Sequence, residues 1–451
     1  MKLKPYQKYK ESDRVISIIN YKPKTPENWK IHQIKFLLKK KITDGPHETP
    51  DFIDEGIPFL SVDSIQDGKL IFENCRYISK EVHIRFKTKC LPKKDDVLLG
   101  KAASIGKIAI VDVDFEFNIW SPLALLRPKK EVVIPKFLEY SLKADYNQDQ
   151  IDLYATSNTQ KNISMDDIPR IQIITPSIEE QSSIANFLDK KTSDITILID
   201  KDKKLIELLK EKRIALINHV VTKGLNPKVK MKDSGIEWIG KIPDGWKIDK
   251  IKRITYVKGR IGWQGLTTEE YQDVGAFLIT GTDFKDGSID WENCAHVSYE
   301  RYKEDPHIHI KESDLLITKD GTIGKIALVN NVPDKTTLNS GVFVTRPLNK
   351  KYSNQYMYWV LNSLVFERFF DFMKRGATIL HLYQETFEDF SFPIPFSISE
   401  QAQIAEYLDK ATSKIDITIQ KIEKKIELLE EYKKSIIHHV VTGKVDVRGE
   451  T

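Results

Sequence analysis

Two acid–lysine pairs at matching places in the sequence could supply metal-dependent nuclease chemistry. Asp96 precedes Lys101, and Asp314 precedes Lys319 with the same spacing. A carboxylate can bind a metal ion that activates a water molecule. However, no second carboxylate follows at a short fixed spacing in both halves of the chain. The favoured interpretation is therefore a charged strand end beside a turn, and the sequence predicts no catalytic residue.

Other motifs for catalysis, cofactor binding or metal binding are absent from the sequence. The segment 100–107 is one residue too long for a Walker phosphate loop and has no Ser or Thr after its lysine. Cys75, Cys90 and Cys294 have no CxxC spacing and no neighbouring histidine pairs, which argues against a disulfide framework and a zinc site. The sequence predicts neither a metal site nor a cofactor bound by this chain.

Three polar loops carry the residue types that contact DNA, and each loop recurs in both halves of the chain. Base edges and phosphates are recognised by Lys, Arg, Asn, Gln, Ser and Thr side chains on loops that a rigid scaffold holds. An inert surface turn explains any single loop, but three loops that recur with changed residues favour DNA reading. In the first half the predicted DNA-contacting residues are Lys41, Thr43, His47, Lys101, Ser104, Asn158, Gln160 and Lys161, and in the second half they are Lys258, Arg260, Gln264, Lys319, Thr322, Lys374, Arg375 and Thr378.

The whole chain contains an internal duplication. Glu180-Gln181, Ile184-Ala185 and Leu188-Asp189 recur 220 residues later as Glu400-Gln401, Ile404-Ala405 and Leu408-Asp409. The regions upstream repeat more weakly, with offsets between 217 and 220, so that Phe59-Leu60 matches Phe277-Leu278 and Arg127-Pro128 matches Arg346-Pro347. Close agreement in one segment and scaffold-level agreement in the other predict a shared architecture with different surfaces.

The closely matching segments predict two long helices that pack on each other. Their apolar residues alternate steps of three and four, which is typical of a coiled coil. One amphipathic helix on a globular core explains either copy alone, but two copies of the same phase favour mutual packing. Because a whole globular domain lies between the copies, we expect them to lie antiparallel, as a spacer of about 40 Å for about 28 residues. The predicted seam residues are Ile195, Ile199, Ile206, Leu209, Ile415, Ile419, Ile422, Ile426 and Leu429.

The upstream regions predict mixed α/β domains. Short runs rich in β-branched residues, such as 96–99 and 107–111, are bounded by Gly, Asp and Pro, whereas 137–142 and 356–361 look like the starts of short helices. The expected order is an N-terminal extension (1–19), a first globular domain (20–175), a first helical spacer (176–222), a linker (223–240), a second globular domain (241–395), a second helical spacer (396–442) and a C-terminal tail (443–451).

The composition is that of an ordinary soluble protein of 451 residues, 40% of them hydrophobic and 30% charged. The formal net charge of +5 is compatible with a polyanionic partner but does not prove one. The N-terminal MKLKPYQKYK lacks the apolar segment of a signal peptide, and no stretch approaches the roughly 18 apolar residues of a membrane span. We therefore expect a cytoplasmic protein with no membrane partner.

The motifs at the domain borders resemble those of a known family. Thr159-Gln160-Lys161-Asn162-Ile163-Ser164, followed by Glu180-Gln181 and Leu188-Asp189, is similar to the junction between target-recognition domain and helix in specificity subunits of type I restriction-modification systems. The segment 233–243, which leads to Trp246, resembles the start of their recognition domains. The resemblance covers nearly the whole chain, although the second junction, residues 378–382, lacks the Gln-Asn-Ile-Ser pattern.

The resemblance implies a non-catalytic DNA-binding subunit with two target-recognition domains, each reading half of a bipartite site in double-stranded DNA. The helices would set the spacing and dock two methyltransferase subunits, which carry S-adenosylmethionine, and motor-nuclease subunits would join with ATP and magnesium. Three alternatives stay open at this point. They are a scaffold whose repeated domains bind protein, a self-sufficient nuclease or methyltransferase, and a specificity protein of a different modification or defence assembly.

Overall fold

A computed structural model of the chain describes residue 6 and residues 9–11, 24–155, 161–261, 266–373 and 381–449. The α-helices are α1 (Lys80–Lys87), α2 (Pro135–Lys143), α3 (Asp145–Tyr154), α4 (Ile178–Lys223), α5 (Ile251–Ile254), α6 (Tyr299–Lys303), α7 (Asn354–Leu361), α8 (Leu364–Met373), α9 (Gln384–Glu388) and α10 (Ile398–Val441). Within the described residues, no helix combines the length and the apolar character that crossing a membrane requires.

The strands are short and fall into two sets. The first set is β1 (Tyr9–Glu11), β2 (Lys24–Pro26), β3 (Lys30–Gln33), β4 (Thr43–Asp44), β5 (Ile57–Leu60), β6 (Ile65–Gln66), β7 (Lys69–Leu70), β8 (Arg76–Ile78), β9 (Val97–Gly100), β10 (Ile108–Ile110), β11 (Asn118–Ile119), β12 (Leu123–Leu126) and β13 (Gln172–Thr175). The second set is β14 (Met231–Asp233), β15 (Lys241–Pro243), β16 (Lys247–Lys250), β17 (Thr255–Gly259), β18 (Ala276–Ile279), β19 (Phe284–Lys285), β20 (Ser288–Ile289), β21 (Ala295–Val297), β22 (Leu315–Thr318), β23 (Ile326–Leu328), β24 (Thr336–Leu338), β25 (Val342–Pro347) and β26 (Ser391–Ile394).

The chain forms two compact units, one of Met1–Asp202 with Glu423–Thr451 and one of Lys203–Ile422. The first unit is built on a four-stranded antiparallel sheet in the order β10-β9-β12-β4. It also contains a three-stranded sheet, β11-β5-β8, and the pair β13-β3. Strands β9 and β12 are buried at every position, so they form the centre of this unit.

The second unit repeats these sheets strand for strand. Its four-stranded sheet has the order β23-β22-β25-β17, its three-stranded sheet is β24-β18-β21, and its outer pair is β26-β16. In both three-stranded sheets one pair is parallel and the other antiparallel. The prediction of two mixed α/β domains with the same architecture is confirmed.

The strand partners shift one of the pairings proposed from the sequence by one residue. Trp120 N donates to Leu60 O (2.8 Å) in the first unit, and Asn339 N donates to Ile279 O (2.9 Å) in the second. Leu60 therefore corresponds to Ile279, and Trp120 corresponds to Asn339. The predicted match of Phe59-Leu60 with Phe277-Leu278 is therefore wrong by one residue. Both strands are runs of apolar residues, and such a pattern alone does not determine the alignment of the two copies.

Each unit contains an antiparallel pair of helical segments from α4 and α10. In the first unit, the Lys433 ammonium donates to Thr196 Oγ1 (2.8 Å), and the Lys425 ammonium lies 2.8 Å from Asp202 Oδ2. Residue numbers therefore rise along one helix as they fall along the other. In the second unit, Arg213 Nε donates to Asp416 (2.9 Å). The bounds of α4 and α10 lie within two residues of the predicted spacers, and the predicted antiparallel coiled coil is confirmed as part of the fold.

The predicted seam residues lie on the inner faces of these helices. Ile195, Ile199, Ile206, Ile415, Ile419 and Ile422 are buried, and Leu209, Ile426 and Leu429 are half-buried. A glycine with a left-handed backbone follows the end of each helix, Gly224 (φ +71°) directly after α4 and Gly443 (φ +73°) two residues after α10. This conformation favours glycine and terminates a helix by satisfying its last carbonyl groups. Residues of the predicted N-terminal extension belong to the first unit, because β1 pairs with β2 and Tyr6 is buried against Trp29.

Candidate nucleic-acid interface

The Glu-Gln pair at the start of each long helix fixes the helix to its globular domain. Trp29 Nε1 donates to Glu180 (3.1 Å), and Ile134 N donates to Gln181 (2.8 Å). Both acceptors belong to the first turns of α4. The repeated motif therefore marks the joint between helix and domain in the first unit.

The second unit builds the same joint from the second copy of the motif. Trp246 Nε1 donates to Glu400 (3.0 Å), and Ser353 N donates to Gln401 (2.9 Å). Farther along the helices, the aspartates of the Leu-Asp motif accept hydrogen bonds from a domain side chain. Tyr140 donates to Asp189 (2.7 Å), and Trp359 donates to Asp409 (2.9 Å). These contacts hold each domain, and its loops, in a fixed orientation on its own helix.

The three predicted loops of the first unit meet at one end of the four-stranded sheet. The Lys101 ammonium lies 3.4 Å from the carboxylate of Asp44, which joins the first loop to the second. Ile163 N donates to Lys101 O (2.9 Å), and Asn162 forms a bridge with Ala102, which joins the third loop to the second. The loops predicted from widely separated parts of the sequence therefore form one surface.

Asp44 is the electrostatic centre of this surface. Lys89 donates to its carboxylate (2.8 Å), and His47 Nε2 lies 3.0 Å from it. Burial alone would raise the pKa of Asp44, but the hydrogen bond from Lys89 and the charges of Lys89, Lys101 and His47 outweigh burial and lower the pKa. Asp44 therefore stays ionised, and more positive groups than negative ones surround it. Lys89 was missed at the sequence level because no repeated motif surrounds it.

The second unit brings the equivalent loops together with different side chains. Leu382 N donates to Lys319 O (2.8 Å), and His381 Nδ1 lies 2.5 Å from Asp320 Oδ1. The Lys319 ammonium lies 5.0 Å from the centre of the Phe343 ring, a cation–π arrangement. The backbone connections match those of the first unit, whereas the groups that could meet DNA differ.

Several predicted contact residues are accessible at these loop surfaces. Lys41, His47, Lys161 and Thr322 are exposed, and Thr43, Ser104, Lys258 and Lys319 are half-buried. Lys101 is only 7% exposed and serves mainly as the partner of Asp44. Asn158, Gln160, Gln264, Lys374, Arg375 and Thr378 lie outside the described residues.

The prediction that Arg260 contacts DNA is corrected by its position. Its side chain is turned into the second unit and is 1% exposed. The guanidinium donates to Leu338 O (2.9 Å) and to Thr337 Oγ1 (3.3 Å). Arg260 therefore holds strand β24 beside the end of β17, and it cannot reach a phosphate or a base edge in this arrangement.

In the acid–lysine pairs that suggested a nuclease, each aspartate forms a salt bridge with an arginine and not with the lysine of its pair. Arg127 binds Asp96 through two nitrogens (2.7 and 2.5 Å), and Arg346 binds Asp314 in the same way (2.7 and 2.6 Å). Both carboxylates are almost fully buried and cap a turn by accepting from a backbone amide. Among the residues described, no group of three or more His, Cys, Asp or Glu side chains is placed to hold a metal ion.

Comparison with known proteins agrees with this two-fold arrangement. The family model of the type I restriction modification DNA specificity domain matches residues 26–209 and 243–428. The type I restriction enzyme MjaVIII specificity subunit of Methanocaldococcus jannaschii is 24% identical over 434 residues, which cover 94% of this chain and 95% of that protein. The EcoBI specificity subunit of Escherichia coli is 27% identical over 177 residues, 39% of this chain and 37% of that protein.

Two solved structures share the fold. A chain in a structure concerned with complex assembly and conformational transition of the type I R-M system has a TM-score of 0.71 and 14% identity, covering 93% of this chain and 99% of that chain. The HsdS subunit from Thermoanaerobacter tengcongensis has a TM-score of 0.57 and 14% identity, covering 95% of this chain and 100% of that chain. Since the family model matches both halves of the duplication, this chain belongs to the family of type I restriction-modification DNA specificity subunits, as its motifs predicted.

Proposed function

We propose that each unit of this specificity subunit reads one half of a bipartite DNA sequence through the surface where its three loops meet. The observation that carries the proposal is the equivalence of Lys101 and Lys319. In each unit this lysine accepts a backbone hydrogen bond from the third loop, while the side chains around it differ. A shared scaffold with changed loop chemistry is what two readers of different sequences require.

The chain acts without a catalytic centre or a cofactor of its own. Two methyltransferase subunits would dock on the α4–α10 pair and carry S-adenosylmethionine, and motor-nuclease subunits would supply the ATP- and magnesium-dependent steps. The acids that could have served a nuclease are held by Arg127 and Arg346, which supports a non-catalytic role. We place the assembly in the cytoplasm, where double-stranded DNA is accessible to it.

Exchange of one domain tests this proposal. Residues 20–175 are replaced by the corresponding domain of another family member, and the methylome of cells that express the hybrid with its modification subunits is sequenced. We expect one half of the methylated sequence to change and the other to stay. The matched control replaces residues 241–395 and should change the opposite half. A change in both halves, or in neither, would contradict reading by separate domains.

The spacing role is tested by a change in helix length. Adding one heptad to both α4 and α10 preserves the seam and lengthens the helical pair by about 10 Å, or about three base pairs. We expect the unspecified spacer of the methylated site to lengthen while both half-sites stay the same. A spacer of unchanged length would show that the helices do not set it.

A further inference from the structure

A cavity of about 430 Å³ opens in the first unit. Its lining includes the half-buried Trp120, the buried Phe59 and side chains that can donate and accept hydrogen bonds. The polar residues at its wall include Ser61, Ser64, Gln66 and Asn74. Polar residues predominate in this lining, so the cavity offers many hydrogen-bonding groups beside one aromatic side chain that a small planar molecule could stack on.

Trp120 lies at the centre of a cluster of rings that also holds a cation. The ring centres of Phe59 and Phe52 are 6.0 and 6.5 Å from that of Trp120. The Arg76 guanidinium lies 5.6 Å from the Trp120 ring and 4.7 Å from the Phe52 ring. Nucleobases stack on such rings, and arginine adds a cation–π contribution.

The loop that begins at Lys41 packs against the backbone of residues 119–121, and Trp120 of this segment lines the cavity. Ser121 N donates to Pro46 O (3.1 Å). At Gly45 an added Cβ atom would lie 1.9 Å from the carbonyl oxygen of Ile119, so only glycine allows this approach of loop and strand. These are backbone contacts, and they place the loop against the segment that carries Trp120.

We propose that this cavity receives one base of the bound DNA, rotated out of the duplex and stacked on Trp120. The inference rests on the proposed function, because it requires DNA at the adjoining loop. A base that leaves the stack needs a ring to stack on and partners for its pairing edge, and both line the cavity. The carboxylates of Asp63 and Glu73, also in the lining, accept hydrogen bonds only and so favour a base with an exocyclic amino group, which thymine lacks.

The second unit has different groups at the equivalent positions. Asn339 replaces Trp120, Ala295 replaces Arg76 and Tyr271 replaces Phe52, as the matching strand partners show. Asn339 donates to the Tyr271 hydroxyl (3.2 Å) and to Leu266 O (3.2 Å), so its amide holds the chain together at the place where Trp120 offers a ring. The proposal therefore concerns the first unit alone.

An abasic-site scan tests the proposal with the complete modification complex. DNA that carries the methylated site is prepared with an abasic site opposite each base in turn, across the half-site read by the first unit and its flanks. Loss of the pairing partner lowers the cost of rotating a base out. At one position we expect binding to tighten by about tenfold, and Trp120→Ala should remove this gain because the stacking surface is lost.

Two further variants separate stacking from folding. Arg76 is exposed, so Arg76→Ala should leave the fold intact and reduce the gain partly, whereas Asn339→Ala, the matched change in the second unit, should keep the gain in full. A scan without any position whose gain depends on Trp120 would overturn the proposal. A second outcome would also overturn it: the scan has no such position, but free deoxynucleoside monophosphates quench the fluorescence of Trp120 saturably and Trp120→Phe abolishes this quenching. The cavity would then be assigned to a free nucleotide. If the intact complex binds its methylated site no better than random DNA, the proposed function itself fails.

Discussion

Lys101 and Lys319 occupy the same position in the two units, but their partners differ. The Lys101 ammonium lies 3.4 Å from the carboxylate of Asp44, and its side chain is nearly buried. Lys319 is half-buried and faces the ring of Phe343, and Gly259 takes the place of Asp44 beside the neighbouring strand. The first unit thus compensates the charge of this lysine, whereas among the described residues of the second unit no carboxylate forms a salt bridge with Lys319.

The residues that hold the scaffold together, by contrast, make the same contacts in both units. Arg127 with Asp96 and Arg346 with Asp314 have nearly the same geometry in the two units. Similarly, Trp29 and Trp246 both donate to the first glutamate of their helix. The duplication therefore keeps the residues that fix the backbone and varies those that border the loop surface, so a family of specificities can be built on one architecture.

The largest effect is expected from the two tryptophans at the helix joints. Trp29 and Trp246 are 1% and 2% exposed, and replacing either by Ala removes a buried ring and its hydrogen bond, at a cost of about 3–5 kcal/mol of unfolding free energy. Hydrogen-exchange mass spectrometry on the full chain should show lost protection in the first unit for Trp29→Ala and in the second for Trp246→Ala.

The exposed Phe36 provides the control for this comparison, because Phe36→Ala creates no cavity and should change protection little. If either tryptophan variant lowered the protection of both units equally, this result would contradict the view that each joint stabilises its own domain.

The paired salt bridges should give the next largest effect, and the same one in both units. Asp96→Asn and Asp314→Asn each leave a largely buried arginine without its anionic partner, which costs about 3 kcal/mol of unfolding free energy. Denaturant unfolding measures the loss, and Asp114→Asn, which breaks an exposed ion pair with Lys94, should change the free energy of unfolding little because solvent screens the pair. Loss of DNA cleavage by the assembled complex with unchanged stability would instead revive the nuclease interpretation.

The duplication and the long helices could be predicted from sequence because their signals are periodic. The seam residues repeat along one helix, and the Glu-Gln motif returns at a fixed distance. The site was harder to predict because its key contacts join distant residues. Nothing in the sequence shows that Asp44 meets Lys101 and Lys89, or that Trp120 lies beside Arg76 and Phe52.

Arg260 shows why residue type alone can mislead. An arginine on a polar loop satisfies every compositional rule for DNA contact. Its direction, however, is decided by the carbonyl group of Leu338, which offers a hydrogen bond inside the unit. Arginine side chains are equally suited to bracing a backbone and to binding a phosphate, and only the neighbouring strand distinguishes the two.

The smallest effect, and the sharpest test of the charge difference, is expected from the two lysines. If Lys319 contacts a phosphate, Lys319→Ala should weaken DNA binding and lower the slope of log K against log salt concentration by about one. Lys101→Ala should change this slope less, because Lys101 is already paired with Asp44 and is hardly exposed. Binding of the assembled complex to its own site, measured over a range of salt concentrations, provides both slopes.

Asp44→Asn completes the comparison, because it removes the compensating charge without shortening a side chain. It should free Lys89 and Lys101 from their shared carboxylate and make the first unit resemble the second, with a steeper salt dependence than the unaltered chain. Equal slope changes for Lys101→Ala and Lys319→Ala would show that both lysines contact the duplex alike, and that Asp44 does not set the difference between the two readers.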